Sequence, residues 1–386
     1  MAAPGEKPYR VYRGGRQKGK VPLPGRDGRE RKPSSSDGKV RRPRRPWTWR
    51  RWTLLVFLAA ILFFVIWTAA GYLSVRSGVS AANGRLQPGT TSVLSKQNGL
   101  ILDSPTNILL LGTDHAENGQ AGRSSDQHSD SMMLVRTDPS RHRLTYLSIP
   151  RDLGVTIGGV YQKINGAMQL GGPKLAIQTV DELFGSQLQV NHVVVVDFGS
   201  FQKLIDAVGG IDVNVPEAIV SNRFDCPYSS QTRCSQWQGW RFHKGVTHMD
   251  GHTALIYSRI RENRLDPSWT DFRRSQNQQA VMQATLNKLA STGTYFRLPF
   301  DGSSLLAPIA TDLSTWDMVQ LGWVKFRAGD VVHCRLGGSP SGGLITSTQE
   351  NIQVVQEVLG NSAPQPPAPG TGLYGPGCVV GNQQFK

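Results

Sequence analysis

The stretch NILLLGTD, residues 107–114, reads as a buried strand that runs directly into a polar loop. SMMLVRT at 131–137, LTYLSI at 144–149 and His192–Asp197, with VVVV at its heart, repeat the pattern. Ile211–Val215 is a shorter strand. Between the strands lie helical patterns at Lys163–Leu170 and Pro173–Phe184, parted by Gly171 and Gly172. Further helices are expected at Phe198–Val208, stopped by Gly209 and Gly210, at Gly251–Ser258, and at Asp271–Ala290, the longest. Residues 297–345 show a mixed pattern, and Thr346–Leu359 reads as a last helix. Strands alternating with helices imply an α/β layer architecture around a mostly buried sheet.

Upstream of this domain the composition changes twice. Of the 43 Lys and Arg and 28 Asp and Glu, residues 1–51 hold 17 and four, leaving 26 against 24 for the rest. The net charge of +15 therefore belongs to a tail, rich in Gly, Pro, Ser and Arg and expected to be disordered. A near-neutral domain lacks the footprint of a nucleic-acid binder, and the Pro/Gly-broken tail has no helix-turn-helix pattern. Residues 52–75 carry no charge. As a helix they extend about 36 Å, enough to span a bilayer. The run is too long for the core of a cleaved signal peptide. Arg41, Arg42, Arg44, Arg45, Arg50 and Arg51 flank its N-terminal side, which predicts a cytoplasmic tail and a domain outside. The expected plan is thus a basic tail at 1–51, a membrane helix at 52–75 and a juxtamembrane segment at 76–104. A domain at 105–362 and a Pro/Gly-rich tail at 363–386 complete it.

The four cysteines suit an extracytoplasmic domain. Cys226 and Cys234 bracket the polar loop CPYSSQTRC, while Cys334 and Cys378 bracket the C-terminal region. Three pairings are open; the local one, Cys226 with Cys234 and Cys334 with Cys378, is expected.

Charge gathers where apolar strands end. Asp114 closes NILLLGTD, Asp130 precedes the next strand, and Arg151 with Asp152 closes LTYLSIPRD. Arg259 and Arg261 follow in YSRIR, then Asp271 and Arg274 in DFRRSQNQQ. Strand ends are favoured ligand sites in α/β folds. Paired carboxylates supply hard oxygen ligands to Mg²⁺, and guanidinium forks match phosphate oxygens. Together they are an inventory for phosphoryl transfer. No Walker A loop, dinucleotide-binding glycine pattern, G-x-S-x-G elbow or H-E-x-x-H motif is present.

The same segments, in one order behind one membrane anchor, resemble the LytR–CpsA–Psr family of cell-envelope phosphotransferases. NILLLGTD, SDSMMLVRTDP, LSIPRDLGV, KINGAMQLGGP, LIDAVGGIDVNVP, ALIYSRIR and DFRRSQ carry the resemblance over about 107–289. It implies a three-layer α/β/α sandwich with a mixed sheet and an apolar groove for a polyprenyl chain. The implied activity moves a glycopolymer, such as teichoic acid or capsule, from a polyprenyl-pyrophosphate carrier to peptidoglycan or a related acceptor. Residue by residue, Asp114 and Asp130 correspond to the family's Mg²⁺ ligands. Arg151, Arg259, Arg261 and Arg274 correspond to its pyrophosphate-side arginines, Arg151 being the one expected to stabilise transition-state charge, and Asp271 or Asp114 to a base for the acceptor hydroxyl. Two positions depart: His128 and Asn277 stand where the family places arginine. Those departures keep a second reading open, a non-catalytic polyprenyl-pyrophosphate or cell-wall-binding relative.

Overall fold

The computed structural model describes residues 49–113, 129–269, 271–306, 309–369, 371 and 374–381, together with Tyr9–Arg10 and Val21–Pro22. For Asp130, Phe198, Asp271, Phe272, Ser275 and Asp330 it describes the backbone alone. The chain divides into residues 1–57 and 58–386. In the first unit Tyr9–Arg10 pairs antiparallel with Val21–Pro22; the rest of the tail, and with it the expectation of disorder, lies outside the described residues.

The second unit is built on a seven-stranded mixed sheet. In chain order its strands are β1 (Thr106–Thr113), β2 (Ser129–Asp138), β3 (Arg143–Ile149), β4 (His192–Asp197), β5 (Ala310–Thr311), β6 (Asp330–Arg335) and β7 (Gly377–Val380). Their order across the sheet is β5-β4-β1-β2-β3-β6-β7. Pairs β1–β4 and β3–β6 are parallel and the others antiparallel. The helices are α1 (Trp49–Arg85), α2 (Gly166–Phe184), α3 (Phe198–Ala207), α4 (Gln231–Gln236) and α5 (Gly251–Arg259), then α6 (Asp271–Leu289), α7 (Thr292–Leu306), α8 (Thr315–Arg327) and α9 (Glu350–Leu359).

Side-chain alternation divides the strands between two cores. Leu109, Leu111, Met132, Leu134, Leu147 and Ile149 pack on one face against residues of α2 and α9, such as Ile177, Val180 and Val354. Ile108, Met133, Val135, Leu144 and Tyr146 face the other way, toward Met282 and Leu286 of α6 and Leu321 of α8. The continuous apolar run in β1 is the signature of a strand covered on both faces. A third cluster joins α3, α5 and α6 to the paired strands Ile211–Val215 and Gly245–Met249. The sandwich is therefore α/β/α, as the resemblance implies.

Several elements differ from expectation. α1 is one helix of 37 residues, about 55 Å long, and absorbs the first ten residues of the juxtamembrane segment. Among the described residues it is the one helix long and apolar enough to cross a membrane. Lys163 belongs to a hairpin, Gly154–Ile157 with Val160–Lys163, closed by Gly158 and Gly159 at φ 59° and 85°. α2 begins only at Gly166, and Gly171 and Gly172 kink it where two helices were expected. The last helix starts at Glu350, because Leu344–Ser347 pairs as a strand with Gly338–Ser341.

The C-terminal tail is more than a tethered linker. Gly377–Val380 completes the sheet, with Cys378 directly opposite Cys334. Both expected disulfides are present, Cys226–Cys234 and Cys334–Cys378. The ladder and the cross-strand disulfide thus place 377–380 in the domain's sheet, beyond the expected domain end at 362.

Candidate functional site

α6 organises the site. Arg274, Gln278, Val281, Met282, Thr285, Leu286 and Leu289 follow helical spacing down one face, and all of them line a cavity of about 530 Å³. From Arg274 to Leu289 the axis advances about 22 Å at 1.5 Å per residue. The opposite wall is the sheet face carrying Ile108, Leu110, Met133, Val135 and Leu144. Register orients this wall. Gly112 lies beside Ser131 at one end of β1 and β2, whereas Thr137 pairs with Leu144 at the other. The cavity thus runs along the strands, with Arg259, Arg261, Arg274 and Asp197 toward the first end. Leucines, Ile309, Met318 and the single cation Lys325 line the remainder. Burial holds the Lys325 ammonium below the usual lysine range.

The arginines reach the cavity by local rules. Asp250 caps α5 by accepting from the Thr253 N–H, and the helix ends at Arg259, with Ile260 extended. Residues two apart on an extended chain share a side, so Arg259 and Arg261 both line the cavity. Arg259 is also committed to Asp225, in a short ion pair, and stands 5.8 Å over the Phe224 ring. Asp225 is held at φ 48°, next to the Cys226–Cys234 disulfide. Arg274 is only 5% exposed.

Arg151 does not join this group. It follows β3 and Pro150, its carbonyl accepts from the Asn165 N–H at 3.2 Å, and its Nε lies 3.5 Å from Asp152. It lines a second cavity of about 220 Å³, with Asp152, Ser148, Leu344 and Tyr374. Ser131, Arg274 and Gln278 border both cavities and form the wall between them. Arg151 thus lines a compartment that adjoins the one lined by Arg259 and Arg261, the two meeting at Arg274.

Asn277 stands apart from both cavities. It is buried, donates to the Tyr257 carbonyl of α5 at 3.2 Å, and borders neither cavity. Arg273 turns toward Glu217, 3.9 Å away, and the Trp269 ring. Burial pushes the Tyr257 phenol up, so it stays neutral beside the site. Asp114 and His128 lie outside the described residues, as do the side chains of Asp130 and Asp271. Asp130 itself follows Ser129, which pairs with Thr113, and precedes Ser131, which pairs with Gly112.

Three contributors escaped the sequence. Asp197 lines the cavity while its carboxylate accepts from the Ser200 N–H and Oγ, each at 2.7 Å. An Asp followed three residues later by Ser is an ordinary cap signature, which masked it. Gln278 was legible as the i+4 partner of Arg274 on α6. Tyr374 had no signal, since the Pro/Gly-rich stretch before it says nothing of where it returns.

Similarity to known proteins agrees with this geometry. TagV of Bacillus subtilis, a polyisoprenyl-teichoic acid–peptidoglycan teichoic acid transferase, is 30% identical over 252 residues, 63% of this chain and 59% of TagV. The chain thus spans about three-fifths of that relative's length. TagU of Oceanobacillus iheyensis, of the same description, is 32% identical over 270 residues, 67% of this chain and 74% of TagU. The solved structure of TagT bound to LI-WTA superposes with a TM-score of 0.53 at 25% identity, covering 71% of this chain and 98% of TagT. The LytR_cpsA_psr family profile matches residues 72–332, most of α1's C-terminal half through β6. By that match the chain belongs to the LytR_cpsA_psr family.

Proposed function

We propose that this protein transfers a glycopolymer from a polyprenyl-pyrophosphate carrier to peptidoglycan or a related envelope acceptor, forming a phosphodiester link. The observation that carries the reading is the cavity on α6, cationic at one end and apolar along the remaining length. Such a shape suits a ligand with an anionic head and a long hydrocarbon tail, the chemistry of a prenyl pyrophosphate. The names of TagV and TagU, and the ligand in the TagT structure, support the same class of substrate.

In this reading the prenyl chain lies along Val281, Thr285 and Leu289, and the pyrophosphate meets Arg259, Arg261 and Arg274. The glycan and acceptor enter the smaller cavity beside Arg151 and Tyr374. An acceptor sugar hydroxyl attacks the phosphorus that bears the glycan. The P–O bond to the prenyl phosphate breaks, polyprenyl monophosphate leaves, and the hydroxyl proton passes to a carboxylate, Asp271 or Asp114. Arg274, on the shared wall, neutralises charge on the transferred phosphoryl, with Arg151 approaching from the acceptor side. His128 and Asn277 take no part in these steps.

In this reading, charge neutralisation is assigned to a hard cation at the strand ends. Asp197 faces the cavity at the end of β4, its neighbour in the sheet is Thr113, and Asp114 is the next residue. The buried Ser129 hydroxyl, opposite Thr113, has no hydrogen-bond partner among the described residues. Asp114 and Asp130 would hold Mg²⁺, which when bound neutralises pyrophosphate charge. Membrane orientation follows from the arginine-rich flank: tail cytoplasmic, residues 76–386 outside.

The test uses the full chain in lipid nanodiscs, given a prenyl-pyrophosphate-linked saccharide, peptidoglycan oligomers and Mg²⁺. The expected result is a covalent saccharide–peptidoglycan product with one equivalent of prenyl monophosphate released. Tight binding with no turnover at any Mg²⁺ concentration would refute it.

A further inference from the structure

Beyond this reading, we infer that the N-terminal half of α7, Thr292–Phe300, is seated in the membrane leaflet on the domain's side. It would bring the apolar end of the cavity to the lipid acyl chains. The inference rests on the reading of α1 as a membrane span and of the cavity as a prenyl-chain seat.

α7 packs against α1 over most of its length, and the contacts fix its direction. Phe296 lies 6.4 Å from both Phe64 and Trp67, ring to ring, and Phe300 lies 5.6 Å from Trp67. The Tyr295 hydroxyl meets the Thr68 hydroxyl at 2.7 Å. Leu298 lies over Gly71, and the Ser303 N–H donates to the Ser74 hydroxyl at 3.2 Å. Numbers rise together, so the two helices are parallel. The start of α7 is its deepest part.

That depth can be measured along α1. The uncharged run ends at Val75. Thr68 lies seven residues before it and Phe64 eleven, or roughly 10 to 16 Å inside the end of the run. A hydrocarbon core is about 30 Å thick, so Tyr295 and Phe296 reach from about two-thirds of the way down one leaflet to near the bilayer midplane. Their exposure fits lipid better than water. Phe296 is 42% exposed and Phe300 73%, beside a helix whose most apolar window is only 6% buried. The charge in this half is neutralised: Arg297 pairs with Asp301 at 2.8 Å, one turn nearer the surface.

The contact is built as membrane helices are built. Gly71, Ser74 and Gly78 form a small-residue seam on α1, Gly71 meeting Leu298 and the other two meeting Gly302 and Ser303. A Cβ on Gly78 would lie 2.8 Å from the Ser303 carbonyl oxygen, so the backbones touch. α6 delivers the cavity to this place. Leu289 is its last cavity-lining residue, and Thr294 of α7 already hydrogen-bonds the Lys288 carbonyl at 2.7 Å. A prenyl tail therefore passes sideways from the leaflet into the cavity without crossing water.

The experiment labels the full chain with bimane at single added cysteines, with both disulfides kept, in nanodiscs of phosphatidylcholine and phosphatidylglycerol. Phe296→Cys and Phe300→Cys are the test positions. Leu62→Cys reports α1, and Tyr161→Cys, in the exposed hairpin, reports water. Quenchers are doxyl-labelled lipid and aqueous iodide. Doxyl lipid should quench the two α7 labels at least about threefold more than the Tyr161 label, and iodide should barely reach them. If the Leu62 label is quenched by lipid while both α7 labels are quenched by iodide, α7 stands in water and this inference alone falls. A Leu62 label untouched by lipid would overturn the span itself, and the inference with it. Phe300 is exposed, so its variant tests the point even if Phe296→Cys misfolds.

Discussion

Replacing Arg274 is the sharpest test of the site, because it is the cation common to both cavities and is 5% exposed. A guanidinium shielded from water forms charge-assisted hydrogen bonds worth about 1.5–3 kcal/mol each to a phosphate. Arg274→Met, similar in length and apolar, should thus weaken binding of a prenyl pyrophosphate by roughly 3 kcal/mol, about 150-fold. Arg274→Lys keeps the charge and loses the planar fork, so about 1.5 kcal/mol, or roughly tenfold, is expected. The assay is calorimetric titration of the full chain in nanodiscs with a prenyl pyrophosphate and with the matching prenyl alcohol. The alcohol occupies the same apolar wall and lacks the charge. Its affinity should be equal, within about threefold, in wild type and both variants, since only the head group meets Arg274. If the pyrophosphate-over-alcohol preference is the same in Arg274→Met as in wild type, the guanidinium does not hold the head group and the assignment fails.

Three further outcomes follow from the structure. Removing the Cys334–Cys378 bridge by a double alanine substitution frees a loop of 44-residue separation and should cost roughly 4 kcal/mol on the chain-entropy relation. Denaturant unfolding that shows a loss below about 1 kcal/mol would contradict it. Burial holds His333, stacked 5.3 Å from Tyr146, down from 6.5 to about 4. The folded state therefore refuses a proton that the unfolded state accepts. The full contribution is present above pH 6.5 and about 3 kcal/mol is lost as pH falls toward 4. His333→Phe should flatten that window, and an unchanged pH profile would refute the assignment. Asn277→Arg should give no gain in pyrophosphate affinity and should destabilise the fold by roughly 1–3 kcal/mol, because it removes a buried donor to Tyr257. A tighter-binding, equally stable variant would show that position 277 faces the ligand after all.

What the sequence made legible was whatever is decided locally. β1 to β4 could be read because strands covered on both faces are runs of apolar residues. The end of α5 could be read because Arg259 and Arg261 precede a stretch that does not continue a helix. The misses have equally physical reasons. The hairpin at 154–163 was hidden by the apolar pattern after it, although Gly158 and Gly159 carried a turn signal. α7, TGTYFRLPFDGSSLL, holds two glycines and a proline, poor helix formers. Its helix is held by packing on α1, which no local window contains. β7 follows a Pro/Gly-rich stretch, and it joins the sheet through a ladder and disulfide with residues 44 positions earlier. The separation of Arg151 from Arg259 is a tertiary fact of the same kind, since β3 and α5 are ordered around α6 only in the folded chain.

The two departures from the family pattern weigh unequally once the structure is known. His128 lies outside the described residues. Asn277 follows Arg274 by three residues and lies only about 60° from it around the helix, yet its amide is spent on α5. Substitution there has altered a contact between helices, and the cavity's polar end keeps Arg259, Arg261 and Arg274 against Asp197. A protein that only bound the lipid would need that cavity alone. This chain adds a second one, lined by Arg151 and Tyr374, that meets the first at Ser131, Arg274 and Gln278. The wall of the second cavity is itself costly to hold. Tyr374 sits in a tail returned to the sheet by β7 and a disulfide, and buried Arg335 donates to the Gly375 carbonyl at 2.8 Å. Burial and the nearby Arg273 bring Arg335 down to about 10, so it remains a cation at neutral pH. A compartment maintained in this way, meeting the first cavity at Arg274, is where the proposed transfer would seat its acceptor.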